Sequence, residues 1–205
     1  MATTVWNRVV FGSVMVFLLG VPGITRAQTC GEEAEQPTAD VRAETDASKL
    51  PHLRTTSQDV RALVKAGAAH SETLRTLLSR LEASDVVAYV RVDTTLPGQL
   101  NGKTWFVSSA AGIRYVEIVL KPTGQALSTA AMLAHELAHV IEVAADAAIV
   151  DPRSMAERYL STGRVRLGRA RTTVDTDFAL KTGANVHREL TPFLADLAAA
   201  VPRMR

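Results

Sequence analysis

The residues best suited to chemistry lie in the segment MLAHELAHVIEVAAD, residues 132–146. His135 and His139 are four positions apart, so on a helix they project from one face and both imidazoles can reach a single metal ion. Zinc with neutral nitrogen ligands brings the pKa of a bound water near neutrality, and Glu136 is placed to take a proton from that water. The pattern therefore predicts a zinc site at which a metal-activated water attacks a peptide carbonyl, with Glu136 as general base.

The flanks of this motif are apolar. Residues 130–134 and 137–141 contain no acidic or strongly basic side chain, which is typical of a buried helix. Burying two imidazoles and a carboxylate there is costly unless these groups satisfy each other or bind a metal. The alternative interpretation is a core helix whose two histidines are simply hydrogen-bonded.

The sequence AHELAHVIE (134–142), on a helix that follows a predicted three-stranded sheet, resembles the zincin metallopeptidases and more closely the small gluzincin-like domains. The resemblance is specific at 134–142 and only architectural over about 85–190. It implies a zinc-dependent hydrolase whose substrate is a peptide or protein. It also implies that the hairpin 103–121 aligns an extended substrate beside the metal.

Three carboxylates are candidates for the third metal ligand, in the order Asp175, Glu142, Glu157. Asp175, in VDTDFAL, resembles the Glu-x-x-Ala helix pattern of gluzincins with aspartate in place of glutamate, although it would serve equally well as a helix cap. Glu142 shares a helical face with both histidines but would have to fold back, so it is better placed to accept a histidine N–H. Glu157 lies on the next predicted helix and resembles the ligand glutamate of other zinc peptidases.

Tyr159 and His187 are candidates for stabilising the oxyanion, since both residue types do so in zinc peptidases. The competing interpretation is that Tyr159 packs in the core and that His187 lies on a solvated face.

The elements that must position these residues follow from periodicity. Apolar spacing predicts one broken helix or two short ones over 56–83, with Ser57 and Ser71 as N-caps. β-Branched and alternating runs predict strands at 85–92, 103–109 and 113–121, the last two joined as a hairpin through 110–112. Helices are expected from 127 or 128 to 147, at 152–160 and at 174–190, with a solvated arginine-rich loop at 163–171 and a last turn toward 200. The helix at 152–160 is expected to start with Asp151 as N-cap and Pro152 at the first helical position. The fold class is α+β: a small three-stranded sheet packed on the HExxH helix, with flanking helices before and after.

The N-terminal part of the chain has a different character. A lone Arg8, an apolar run at 9–21 and small residues around Ala27 predict a signal peptide over 1–27. Residues 28–48 are acidic and poor in large apolar side chains, so a disordered linker is expected there, and it contains the only cysteine, Cys30. Residues 49–205 remain for a single zincin-like metallopeptidase domain.

These observations narrow the function. Aromatic-interleaved basic motifs, zinc-finger cysteines and phosphate-binding glycine loops are not seen in the sequence, so no nucleic-acid partner is expected. We expect a secreted zinc-dependent peptidase, periplasmic or extracellular, with no stable membrane span after signal cleavage. The alternative is a non-catalytic exported binding protein that retains the metallopeptidase scaffold. A purely structural helical protein would contain no stoichiometric zinc.

Overall fold

The computed structural model describes residues 14–15, 50–97, 100–167 and 172–201 of the 205-residue chain. The predicted signal peptide and acidic linker therefore lie outside the described residues, apart from Val14–Met15. None of the helices found in these ranges has the length and apolarity that crossing a membrane requires.

Helices and strands come in consecutive groups along the described residues. The helices are α1 (Gln58–His70), α2 (Glu72–Glu82), α3 (Ala126–Ala145), α4 (Pro152–Thr162), α5 (Asp177–Leu190) and α6 (Leu194–Ala200), with a 3-10 turn at Thr191–Phe193. The strands are β1 (Val14–Met15), β2 (Leu53–Thr55), β3 (Val86–Val92), β4 (Gly102–Ala110), β5 (Ile113–Leu120), β6 (Arg164–Leu167) and β7 (Thr172–Asp175). The α+β class predicted from the sequence is confirmed.

The main sheet has four strands in the order β2-β3-β5-β4, so the prediction of a three-stranded sheet was wrong. Strands β2, β3 and β5 run parallel, and β4 is antiparallel to β5 at one edge. The missed strand is β2, whose residues Leu53–Thr55 pair with Ala88–Val90. Three residues are too few to show an alternating pattern in a sequence, and this strand exists because β3 offers it a partner.

The hairpin between β4 and β5 forms where the sequence predicts it. Ala111 and Gly112 both have positive φ, 52° and 78°, as a two-residue primed turn requires. The turn leaves β4 as the edge strand that lies beside α3.

A second, smaller sheet lies in the region that was expected to be a loop followed by a helix. Strands β6 and β7 pair antiparallel, and β1 pairs with β7. The expectations of a solvated loop at 163–171 and of a helix starting at 174 were therefore wrong for residues 164–167 and 174–175, which are strand residues. Residues 168–171 lie outside the described residues. Helix α5 begins at Asp177, and its N-cap is Thr176, whose hydroxyl accepts from the Ala179 N–H.

Helix α3 is the centre of the core. Every one of its residues from Leu127 to Ile141 is buried, on every side of the helix. It contacts α1, α2, α5 and α6 on one side and strands β3, β4 and β5 on the other. A helix that is apolar all round is stable only when other elements surround it, as they do here.

The helix starts follow the expected capping chemistry. Ser57 and Ser71 cap α1 and α2 by accepting from the N–H groups of Val60 and Leu74. Asp151 caps α4 in a reciprocal arrangement with Ser154, and proline occupies the first helical position. These caps were all predicted from the sequence.

The C-terminal end of α3 is held by a buried arginine on β5. The Arg114 guanidinium donates to the carbonyl oxygens of Val143, Asp146 and Ile149 at 2.6, 2.8 and 3.1 Å. The guanidinium also makes a bidentate ion pair with Asp85, in which Nε and Nη2 donate to the two carboxylate oxygens at 2.8 and 2.6 Å. A cation at this position satisfies the unpaired carbonyls of the helix end and complements the helix dipole.

Candidate metal centre

Three side chains from two separate elements meet beside α3. His135, His139 and Asp175 each offer a ligand atom, and these atoms lie within 4.8 Å of one another. The His135 Nε2 atom is 3.3 Å from Asp175 Oδ1. Two ligands of a tetrahedral ion with bonds of about 2.0–2.1 Å are separated by roughly 3.4 Å, so this spacing suits zinc.

His139 is held in the orientation that a metal ligand needs. Its Nδ1 atom is 2.9 Å from Glu142 Oε2, so Nδ1–H donates to the carboxylate and Nε2 carries the free lone pair. Nε2 is buried and has no hydrogen-bond partner. A buried imidazole nitrogen without a partner costs free energy unless a ligand binds it.

Glu142 is held in turn by Tyr159 on α4. The Tyr159 hydroxyl lies 3.2 Å from Glu142 Oε2 and 2.9 Å from the carbonyl oxygen of His139. Burial, then the neighbouring Glu142 charge, raises the pKa of Tyr159 well above its ordinary value, so the phenol remains a donor. The interpretation of Glu142 as an acceptor for a histidine N–H agrees with this geometry.

Glu136 is the fourth polar group of the centre, and it contacts strand β4. Its Oε2 atom accepts a hydrogen bond of 2.7 Å from the Thr104 hydroxyl, whereas Oε1 is buried without a hydrogen-bond partner. Burial raises the pKa of the Glu136 carboxyl; the charges of His135 and His139 and the Thr104 hydrogen bond oppose this shift.

Asp175 reaches the centre from a strand. The residue ends β7, so the expectation that it starts a helix in a Glu-x-x-Ala-like pattern was wrong. The alternative role as a helix cap is also excluded, because Thr176 is the cap of α5. Gly163, which ends α4, allows β7 to lie this close: a Cβ atom there would be 2.8 Å from the Tyr159 carbonyl oxygen and 3.1 Å from that of Asp175.

The remaining sequence candidates lie elsewhere. Glu157 is on an exposed face of α4, where its carboxylate pairs with Arg153 at 2.8 Å, and it is not in the group that His135, His139 and Asp175 form among the described residues. His187 is half-buried on α5 and is not part of the metal-binding group found among the described residues. Tyr159 adjoins the centre, but its hydroxyl is engaged by Glu142 and by the backbone.

All four polar side chains of the centre are inaccessible to solvent. His135, Glu136, His139 and Asp175 each have a relative exposure of 0%. Two carboxylates and two imidazoles in one dry site are costly unless a cation or shared protons balance the charge. The donor set of two imidazoles and one carboxylate fits zinc, and it leaves a fourth position for water.

Sequence reasoning missed Thr104, Gly102, Gly163 and Arg114 as parts of this architecture. Thr104 lies in the strand predicted at 103–109 and Gly102 just before it, and nothing in GKTW marks the face that meets α3. Only the alternation of side chains along the strand places these two residues on one face. The position of Arg114 was predicted as strand, but its contact with the end of α3 depends on tertiary packing.

Comparison of the chain with protein-family models, with curated proteins and with solved structures gives no significant match.

Proposed function

We propose that the protein is an exported zinc-dependent peptidase of the zincin type, in which His135, His139 and Asp175 bind the metal and Glu136 is the general base. The observation that carries the proposal is the convergence of three buried donor atoms within 4.8 Å beside a buried carboxylate. The strand origin of Asp175 departs from the helical third ligand that the gluzincin resemblance implies. For this reason the proposal rests on the geometry of this site.

Each residue has a definite task in peptide hydrolysis. Zinc, when bound, would lower the pKa of a water and polarise the scissile carbonyl. Glu136 takes one proton of the attacking water at a carboxylate oxygen while the water oxygen adds to the carbonyl carbon. Glu136 then gives the proton to the amide nitrogen as the C–N bond breaks, so that peptide and water yield an acid and an amine. Glu142 keeps the His139 ring oriented throughout.

The second candidate is a non-catalytic metal-binding protein on the same scaffold. The complete burial of the four polar side chains favours it, because a peptidase must admit both water and a peptide to Glu136. The two candidates differ in what Glu136 does, since a scaffold needs no base.

Substitution of Glu136 by glutamine separates these candidates. The amide keeps the shape and the hydrogen-bond acceptor for Thr104 but is not basic, so zinc should remain bound. Positioned proton transfer contributes about 10² to 10⁴ in rate, so peptide hydrolysis should fall at least about a hundredfold. Zinc stoichiometry and hydrolysis of a broad peptide library are measured on the parent and the variant. Equal hydrolysis by both would exclude Glu136 as the base, and zinc binding without hydrolysis by the parent would favour the scaffold.

Metal binding itself is tested by His139→Ala, with His187→Ala as the matched control. The first should remove stoichiometric zinc from the purified protein, and the second should not. Unchanged zinc content in His139→Ala would place the metal elsewhere.

Export is a separate part of the proposal. It is supported by the short apolar run at 9–21 and the small residues that follow it. Mass spectrometry of protein produced in a secreting host should find a mature chain that starts at Gln28. Recovery of the full-length chain from the cytoplasm alone would contradict export.

A further inference from the structure

We propose that strand β4 positions the general base. The Thr104 hydroxyl holds Oε2 of Glu136, Gly102 makes room for the carboxylate, and Oε1 is left as the atom that takes the proton. This inference rests on the proposed peptidase function and adds Thr104 and Gly102 to it as positioning residues. It also makes the edge strand part of the catalytic apparatus itself.

The hydrogen bond is the first support. Thr104 is fully buried, and its hydroxyl is 2.7 Å from Glu136 Oε2 and 3.3 Å from the Glu136 carbonyl oxygen. The shorter contact is within the range of a strong bond to a carboxylate, so the proton of the hydroxyl goes to Oε2. Because Oε2 is engaged, we assign the proton transfer to Oε1, which is buried and has no hydrogen-bond partner.

The close approach of Gly102 is the second support. A Cβ atom at this residue would lie 2.6 Å from Glu136 Oε1 and 3.0 Å from both Glu136 Cγ and Met132 Sδ. The Glu136 side chain therefore occupies the space that any larger residue at position 102 would fill. Residues 102 and 104 are two apart on one strand, so both face α3 and contact the carboxylate together.

This arrangement limits the rotation of the carboxylate in two ways. The hydroxyl of Thr104 restrains one oxygen, and the strand backbone at Gly102 bounds the other. A base whose rotamer is fixed by its neighbours does not have to be ordered during the reaction, which is the origin of the rate gain from positioning. Removing the hydroxyl should therefore affect the chemical step and leave metal binding unchanged.

The test uses the purified zinc-loaded protein and three variants. Thr104→Val replaces the hydroxyl by a methyl group of similar size, and Thr104→Ser restores the hydroxyl. Thr129→Val is the matched control, because Thr129 is also buried and lies on α3, but its hydroxyl donates to the Gln125 carbonyl oxygen at 2.9 Å. All three should bind zinc stoichiometrically.

The expected kinetic result is a selective loss. Thr104→Val should lose on the order of tenfold in kcat with KM unchanged, as expected for the loss of one hydrogen bond to a charged group. Thr104→Ser should recover most of this loss, and Thr129→Val should match the parent in kcat. If the substitutions only destabilised the fold and left Glu136 correctly positioned, Thr104→Val and Thr104→Ser would not differ in kcat in this way.

A second measurement does not depend on turnover. The infrared difference spectrum between the parent and Glu136→Gln isolates the carboxylate band of Glu136, with and without zinc. The band should shift in Thr104→Val and stay in place in Thr129→Val, because only the first change removes a hydrogen bond to Glu136.

The outcomes distinguish this inference from the proposal on which it rests. Hydrolysis by the parent together with an unchanged kcat or an unshifted band in Thr104→Val would overturn the role of Thr104 alone. Failure of Thr104→Ser to recover activity would do the same. A parent that binds zinc but hydrolyses no peptide would overturn both proposals, whatever the infrared result.

Discussion

Replacing Asp175 by asparagine should weaken zinc binding without destabilising the zinc-free protein. The amide has nearly the shape of the carboxylate, so the packing of β7 is kept while the negative ligand is lost. In the zinc-free protein the change removes one of two carboxylates in a site with 0% exposure, and Asp175 is among the groups that raise the pKa of Glu136. The zinc-free variant should therefore be as stable as the zinc-free parent or more stable.

The magnitude follows from linkage between zinc binding and folding. Zinc at about 100 times its Kd stabilises the folded state by about 2.7 kcal/mol, whereas zinc at a concentration equal to Kd contributes only about 0.4 kcal/mol. If the loss of one of three protein ligands weakens zinc binding about a hundredfold, the stabilisation by zinc should fall from the first of these two values to the second. For a domain of this size, that is a change in the zinc-induced Tm shift from about 5–10 °C to about 1 °C.

The assay is thermal unfolding of the parent and Asp175→Asn, each after chelation and after zinc addition. The critical result is the sign of the difference in Tm between the zinc-free variant and the zinc-free parent. If Asp175 instead served mainly as the ion-pair partner of His135, the zinc-free variant would be less stable than the parent and the zinc-induced shift would persist. That combination of results would refute its assignment as a ligand.

Three further predictions use residues around the centre and at the C-terminal end of α3. Glu142→Ala should weaken zinc binding about 10- to 100-fold, because His139 loses its orienting acceptor, while the same change at exposed Glu157 should leave zinc affinity unchanged in a calorimetric titration. Arg114→Met should lower the free energy of unfolding, measured in urea at neutral pH, by about 3 kcal/mol. The exposed control Arg91→Ala should lower it by less than about 1 kcal/mol. The hydrogen bond from Arg114 lowers the pKa of Asp85, so the stabilising contribution of this ion pair is present above the unfolded-state pKa and is lost as pH falls. The loss of unfolding free energy in Arg114→Met should therefore shrink in acid. A loss that does not depend on pH would contradict the ion pair. Gly163→Ala should lower both Tm and zinc affinity, since the added methyl group meets backbone oxygens of Tyr159 and Asp175; zinc affinity equal to that of the parent would show that β7 need not lie close to α4.

The features that the sequence predicted correctly are those encoded locally. Capping serines at 57 and 71, the Asp151-Pro152 helix start and the glycine turn of the β4–β5 hairpin each depend on a few adjacent residues. The positions of His135, Glu136 and His139 on one buried helix also follow from spacing within a single element. Such features survive in any tertiary context that keeps the element intact.

The features that were missed depend on contacts between distant segments. Strand β2 is too short to be recognised without its partner β3, and the β6–β7 hairpin lies in an arginine-rich stretch that has the composition of a loop. Asp175 was identified as the first candidate ligand, but on the wrong element, because VDTDFAL contains both the end of a strand and the cap of a helix. The helix signal came from Thr176 and the residues after it, one position beyond the aspartate.

The charge balance of the centre gives an independent reason to expect a cation. Glu136 and Asp175 are both fully buried, and burial raises the pKa of Glu136. The hydrogen-bond donor to the Glu136 carboxylate is the neutral Thr104 hydroxyl. His139 donates its Nδ1 proton outward to Glu142, so the nitrogen that faces the centre supplies a lone pair. Lone pairs from imidazole and carboxylate that converge in a dry site repel one another and lose hydration, and a dication reverses both effects at once. The proposed metal ion would bind the partnerless Nε2 of His139 and would offset the cost of burying the Glu136 carboxylate.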